Sequence, residues 1–336
     1  MKRKLNIFVG IIVGIIFLGL WFLLVEMHEI WNYLRHLNVF HVIIFTMFYI
    51  LAYLIRSFRW RLILEPIYKM KMLESFSYFM AGMLVNYLIP VRAGEFAKSI
   101  FLKKNKGVKI SQSLPSIFID KLTDLFPIIF IIILIPVLSI SISKTLTWVI
   151  IGIMIMYSVL LFILIFSMKS PENMHKVLMK LSFFIPHKFK FKLEDFYTSF
   201  IEGMGILRGR KKDTIIIYLL TLLAVLSEGF FVYMIFRSLG LHDIGFVKIL
   251  FGYTLMNLTY ILPTPPAQIG SNEFMWVVIF SFALGVDKNL TGAAVATVHI
   301  LTTIVIFSLG ALSFSSIGMR LTDALRNPKS PTNDSL

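Results

Sequence analysis

Residues 86–107 read "NYLIPVRAGEFAKSIFLKKNKG". The stretch begins inside an apolar run, passes Pro90, Arg92, Gly94 and Glu95, and finishes among lysines. An ordinary crossing helix does not end this way, because a charged group at membrane depth costs about 3 kcal/mol on insertion scales. The neighbouring charges show what the stretch does instead. Arg56, Arg59, Arg61, Lys69 and Lys71 precede the apolar run at 74–90, and Lys98, Lys103, Lys104, Lys106 and Lys109 follow it. Lysine and arginine collect in cytoplasmic loops, so both flanks belong on one side, which a single crossing cannot satisfy. A re-entrant hairpin near 74–104 can: it enters from the cytoplasm, turns near Pro90–Gly94 and returns. Non-helical backbone at that depth is tolerated where protein buries it or it lines a wet cavity.

The rest of the chain belongs to the same class. It has 336 residues, is 57% hydrophobic and has a mean hydropathy of +0.83, which marks a multi-span helical membrane protein. The net charge of +15 is read as positive-inside bias, with anionic membrane lipids rather than nucleic acid as partners. The absence of cysteine excludes disulfides, iron–sulfur clusters and thiolate zinc sites. No P-loop, G-x-S-x-G, H-E-x-x-H or dinucleotide fingerprint occurs. The expectation is therefore a non-enzyme without cofactor or metal, not powered by ATP. The first apolar run, Leu5–Val25, follows Lys2, Arg3 and Lys4 and ends in "LLVEMHE" without a small-x-small cleavage site. It reads as a retained span rather than a signal peptide.

Further apolar runs fall near 40–64, 114–140, 145–167, 214–238, 246–262, 269–284 and 289–315. The segment 168–213 carries ten Lys or Arg, whereas the loops at 26–38, 139–145 and 238–245 are nearly bare. With rich loops and both termini in the cytoplasm, the material at 246–284 must begin and end outside. It contains "TYILPTPPAQIGSNEF", a proline-rich break, and reads as a second re-entrant hairpin entering from the opposite face.

The fold expected is an all-α polytopic membrane protein of the cell membrane, an inverted-topology repeat with two re-entrant helical hairpins. Residues 1–167 and 214–318 form the two repeats, and 319–336 a polar tail. The segment 168–213 links them as a basic amphipathic surface helix, with Leu193, Phe196, Tyr197, Phe200, Ile201, Met204 and Leu207 at helical spacing. The two breaks also match in sequence. Tyr87 and Pro90 align with Tyr260 and Pro263 at an offset of 173. Glu95, Gly107, Val108 and Lys121 align with Glu273, Gly285, Val286 and His299 at an offset of 178. Inverted repeats with paired broken helices are a transporter design whose substrate site lies near the midplane.

The stretch "RAGEFAKSIFLKKNKGVKISQSLPSIFIDKLTDL", with "LIRSFRWRLIL" at 54–64 and "PTPPAQIGSNEF" at 263–274, resembles the flippase-like lysylphosphatidylglycerol synthase transmembrane family. The resemblance covers about 5 to 315. It implies a membrane unit associated with moving a modified lipid between leaflets. Some members fuse this unit to a soluble aminoacyl-transferase domain, which is not expected after the short tail "RNPKSPTNDSL". Lys121 stands where the family usually has arginine, and "PPAQIGSNE" lacks the common Gly-Gly.

Several side chains are candidates for a substrate site. Arg92 suits a lipid phosphate, which arginine grips with two parallel hydrogen bonds; Glu95 would orient it or hold a cationic headgroup. Alternatively the two form a salt bridge that closes the turn. Glu273, near Gln268 and Asn272, either completes a midplane site or favours a helix start near Gly270. Asp120 and Asp124, four apart, share a helix face, and Lys121 neighbours Asp124 at three; they form a solvated helix start, or Lys121 turns toward Glu95. His299 is a core histidine or a proton carrier. Glu228 is alone in an uncharged span and suits a proton or cation site. Arg56, Arg59 and Arg61 are expected to anchor the cytoplasmic surface on anionic lipid.

The leading functional expectation is a lipid translocase for a charged phospholipid or polyprenyl-phosphate-linked lipid. The alternatives are a membrane-embedded lipid transferase, with Glu95 or Asp124 as base, and a non-catalytic scaffold. A homo-oligomer, or a separate lipid-modifying enzyme as partner, is compatible with each.

Overall fold

The computed structural model describes residues 2–89, 93–127, 209–259 and 265–319, with isolated positions between 147 and 176. The helices are α1 (Lys2–Leu24), α2 (Met27–Arg35), α3 (Val39–Leu64), α4 (Met72–Leu88), α5 (Ala93–Lys106) and α6 (Ile110–Thr123). They continue as α7 (Lys211–Ser238), α8 (Phe246–Thr259), α9 (Ser271–Trp276) and α10 (Lys288–Ser316). A π-helical turn, Val277–Ala283, extends α9. Among the described residues there is no strand.

Three helices, α3, α7 and α10, are long and apolar enough to cross a membrane. At 26, 28 and 29 residues they run roughly 40 Å, beyond the ~30 Å hydrocarbon core. The chain is thus an all-α polytopic membrane protein. A fourth crossing is available in α1, which bends by 82° into α2. The nearly bare loop expected at 26–38 is largely this short helix, whose Ile30 is buried and faces Gly292 of α10.

α4 and α5 form a tight hairpin. Glu74 and Lys106 pair at 2.6 Å at its open end, and the Asn86 side chain accepts the Gly94 N–H at 2.7 Å near its tip. Its arms of 17 and 14 residues are about 26 and 21 Å long, too short to cross individually. Gly82 and Gly94 let the two backbones touch. This is the hairpin expected near 74–104. The second hairpin pairs α8 with α9 and its π-helical extension, where Gly252 faces Phe280 and Leu284. Its return arm starts from a 3-10 turn, Pro266–Gln268. Outside the described residues lie 90–92 with Arg92, 260–264, 128–146, most of 149–208 including the amphipathic helix expected at 193–207, and the tail.

The loops rich in basic residues gather at one end of the bundle. Arg210 reaches Glu65 at 3.2 Å, and Asn105 donates to the Ile317 carbonyl at 2.7 Å, beside the Glu74–Lys106 pair. At the other end, the Glu26 N–H donates to Asn289 at 2.8 Å. There Asp287 caps α10, accepting the N–H groups of Asn289 and Leu290 at 3.0 and 2.8 Å. Asp287→Ala should cost about 1 kcal/mol, read as a lower melting midpoint of the detergent-purified protein.

The two hairpins are braced by different helices. The first packs on α10, with Leu84 against Gly310 and Phe101 5.5 Å from Phe314. The second packs on α1, with Gly270 against the Gly14 backbone and Phe274 5.3 Å from Phe17. Their tips consequently meet in the middle of the molecule.

Candidate functional site

Where the tips meet, a cavity of about 450 Å³ opens between α3, α6 and α7 and the hairpins. Its lining includes the charged Arg56, Glu95, Lys121, Asp124 and Glu228 and the apolar Phe79, Met83, Phe118, Phe231 and Trp276. Asn86 and Tyr87 enter from the first tip, Gln268 and Asn272 from the second.

The charged side chains form one connected network. Arg56 donates to Asp124 at 2.7 Å and to Glu228 at 2.6 Å, joining α7 to the end of α6. Arg59, one turn on, donates to Asp120 at 2.9 Å, Asp124 at 2.8 Å and Thr221 at 2.8 Å. Lys121 bridges Glu95 at 2.8 Å and Asp124 at 3.2 Å. Lys98 pairs with Glu95 at 2.8 Å and lies 5.0 and 4.6 Å from the ring centres of Trp60 and Phe79, where the ring faces favour a cation. Asn86 also donates to Glu95, at 3.0 Å. Among the described residues the network holds four cations, Arg56, Arg59, Lys98 and Lys121, and four carboxylates, Glu95, Asp120, Asp124 and Glu228. Charges this deep persist only when paired and hydrogen-bonded, and these satisfy that condition.

A second polar cluster lies behind the cavity wall. Glu273 accepts the Gly270 N–H at 2.7 Å and contacts Nδ1 of His299. Nε2 of His299 lies 2.7 Å from the Tyr87 hydroxyl and 2.9 Å from the Ala267 carbonyl. Tyr87 in turn contacts Thr303. One imidazole on α10 therefore touches both hairpin tips. The sequence offset that aligned Glu95 with Glu273 also aligned Lys121 with His299, and both pairs are in contact.

The family model described as the lysylphosphatidylglycerol synthase TM region matches residues 7–310. The chain belongs to this family. A search of curated proteins finds no match. The matched span contains both hairpins and every residue of the two clusters.

Within this lysylphosphatidylglycerol synthase-type membrane unit, Glu95, Lys121, Asp124 and Glu228 come together in one network, while Glu273 and His299 stand as a pair beside it. Arg92 falls outside the described residues. The expected lipid anchor at Arg56, Arg59 and Arg61 is corrected for the first two. Arg59 is only 1% exposed, and both arginines turn inward to the carboxylates of Asp120, Asp124 and Glu228. Arg61 closes the turn after α3, donating to the Met70 carbonyl at 2.7 Å. Sequence reasoning missed Lys98, Asn86 and Tyr87. A signal existed for Lys98, which continues a buried stripe through Gly94, Glu95, Phe101 and Leu102 at helical spacing.

Proposed function

We propose that this membrane unit is a lipid translocase: a charged phospholipid or polyprenyl-phosphate headgroup crosses through the cavity while its tails remain in lipid. The supporting observation is that one cavity is lined both by a connected set of charged groups and by aromatic side chains. Its volume, about 450 Å³, is in the range of small-molecule sites and suits a headgroup better than acyl chains. The matching Glu95–Lys121 and Glu273–His299 contacts favour the inverted-repeat reading, with basic loops and both termini in the cytoplasm of a plasma membrane. Anionic lipids are the expected surroundings, and Arg92, beside the first tip, remains a candidate for the headgroup phosphate. The transferase reading is weaker, because both candidate bases are engaged: Asp124 accepts from Arg56, Arg59 and Lys121, and Glu95 is held by Lys98, Lys121 and Asn86.

The test is reconstitution into vesicles carrying a fluorescent phospholipid or, separately, a fluorescent polyprenyl phosphate, with dithionite quenching to follow leaflet exchange. Exchange of one of the two should exceed that of empty vesicles. Lys121→Met should slow it about tenfold or more without unfolding the protein, because Glu95 keeps Lys98 and Asp124 keeps two arginines. Exchange equal to that of empty vesicles for both lipids would remove the translocase reading.

A further inference from the structure

The two equivalent acid–base pairs differ in one chemical respect. Glu95 is paired with a lysine, which stays charged at physiological pH, whereas Glu273 is paired with a histidine, which titrates there. The hydrogen bonds around His299 determine how many protons its pair holds. The Ala267 carbonyl can only accept, so we take Nε2 of His299 to carry the hydrogen between them, with the Tyr87 hydroxyl donating to Thr303 rather than to the ring. A neutral ring then has a bare lone pair on Nδ1, facing the Glu273 carboxylate. That contact is attractive only with one more proton in it, whether on Nδ1 or on the carboxyl oxygen.

We propose that the Glu273–His299 pair is a proton-binding site whose occupancy ties the two hairpin tips together, making the proton the ion coupled to transport. With the proton bound, Glu273 on the second hairpin holds to α10, and the same ring reaches Tyr87 on the first. When the proton leaves to water in the cavity, neutral histidine and ionised glutamate remain, lone pair against lone pair, and the tie breaks. The second tip is built to move on release. Ala267 and Gln268 sit at φ 53° and 60°, left-handed backbone that non-glycine residues keep only when their surroundings hold it.

Among the described residues, the ionisable side chain in contact with the pair is Tyr87 of α4. Arg56, Glu95, Lys121, Asp124 and Glu228 stand around the adjoining cavity, and their charges balance once Lys98, Arg59 and Asp120 are included. α10 adds only Lys288 at its far end, and residues 10–24 of α1 contain no ionisable side chain. This inference rests on the translocase reading only for what the tie controls, and the tie can be measured without any lipid substrate.

Since the described chain contains no cysteine, Thr302→Cys places a single thiol at the cavity wall, one turn from His299. Its maleimide labelling in the full-length protein in nanodiscs is followed from about pH 5 to about pH 9, with nitrogen-15 NMR of labelled histidine as a second readout. His299→Gln identifies the resonance. Labelling, divided at each pH by the rate for free cysteine so that the thiol's own ionisation cancels, should speed up at least about fivefold as pH rises, at the midpoint where His299 loses its proton. Glu273→Gln should stay slow throughout, because its amide donates to Nδ1 without titrating and its oxygen still accepts from Gly270. Labelling that ignores pH, a His299 resonance that does not titrate over this range, or a Glu273→Gln protein that opens like the parent would overturn the proposal. A pair that titrates and opens in a protein that moves no lipid sinks the translocase reading alone. Lipid exchange in Glu273→Gln with the parent's rate and pH dependence sinks the coupling alone.

Discussion

Arg59→Met should destabilise the protein by about 3–5 kcal/mol, the usual consequence of removing one member of a buried charge group. Methionine fills the aliphatic space, so the loss is electrostatic rather than steric. The fully buried Asp120 carboxylate would lose its hydrogen bond from the Arg59 Nε at 2.9 Å and its ion pair at 2.7 Å, and its nearest remaining cation is Lys98 at 3.7 Å. Thr221 would lose its donor as well. The measurement is the melting midpoint by fluorescence-detected size exclusion, and a second change, Asp120→Asn, should recover part of the loss in the Arg59→Met background. A single variant as stable as the parent would show that the network is not held together by Arg59.

Gly94→Ala is the second large effect expected. A Cβ there would overlap the Gly82 carbonyl oxygen and come within 2.7 Å of the Asn86 side-chain oxygen. The first obstacle is backbone, which cannot rotate away, so the hairpin arms must part. Overpacking of this kind costs about 1–3 kcal/mol, and losing the Asn86–Gly94 hydrogen bond adds about 1 kcal/mol. The displacement would also carry Glu95 away from Lys121, so lipid exchange should fall together with stability. Gly19→Ala is the control: its added methyl meets nothing within 4 Å, and alanine in a helix gains up to about 1 kcal/mol. Equal melting midpoints for Gly94→Ala and the parent would contradict the close packing of α4 on α5.

The first hairpin was legible because Arg56–Lys71 and Lys98–Lys109 flank one apolar run with the same sign, and the bilayer does not permit that for a single crossing. The contact between Glu95 and Lys121 was legible as one of two readings of "FIDKLTDLF", although position alone could not separate it from a solvated helix start. Charge counting failed at Arg56, Arg59 and Lys98 because it treats every cation as turned to water. Periodicity carried the missing information: Tyr49, Tyr53, Arg56, Trp60 and Ile63 follow one another at helical spacing, and all but Arg56 are buried. An arginine inside such a stripe points to buried carboxylates, which Asp120, Asp124 and Glu228 supply. α2 was missed for the opposite reason. Its polar composition suggested a loop, yet Ile30, Leu34 and Leu37 repeat at helical spacing and pack on the core.

The equal numbers of cations and carboxylates in the described network have an electrical consequence. Moving one elementary charge through a potential of 100 mV takes about 2.3 kcal/mol, enough to bias most conformational equilibria. A cluster of four positive and four negative groups that shifts as a body displaces no net charge, so the field does no work on it. The voltage across the membrane can then act only through the charge of the cargo and of the proton that travels with it.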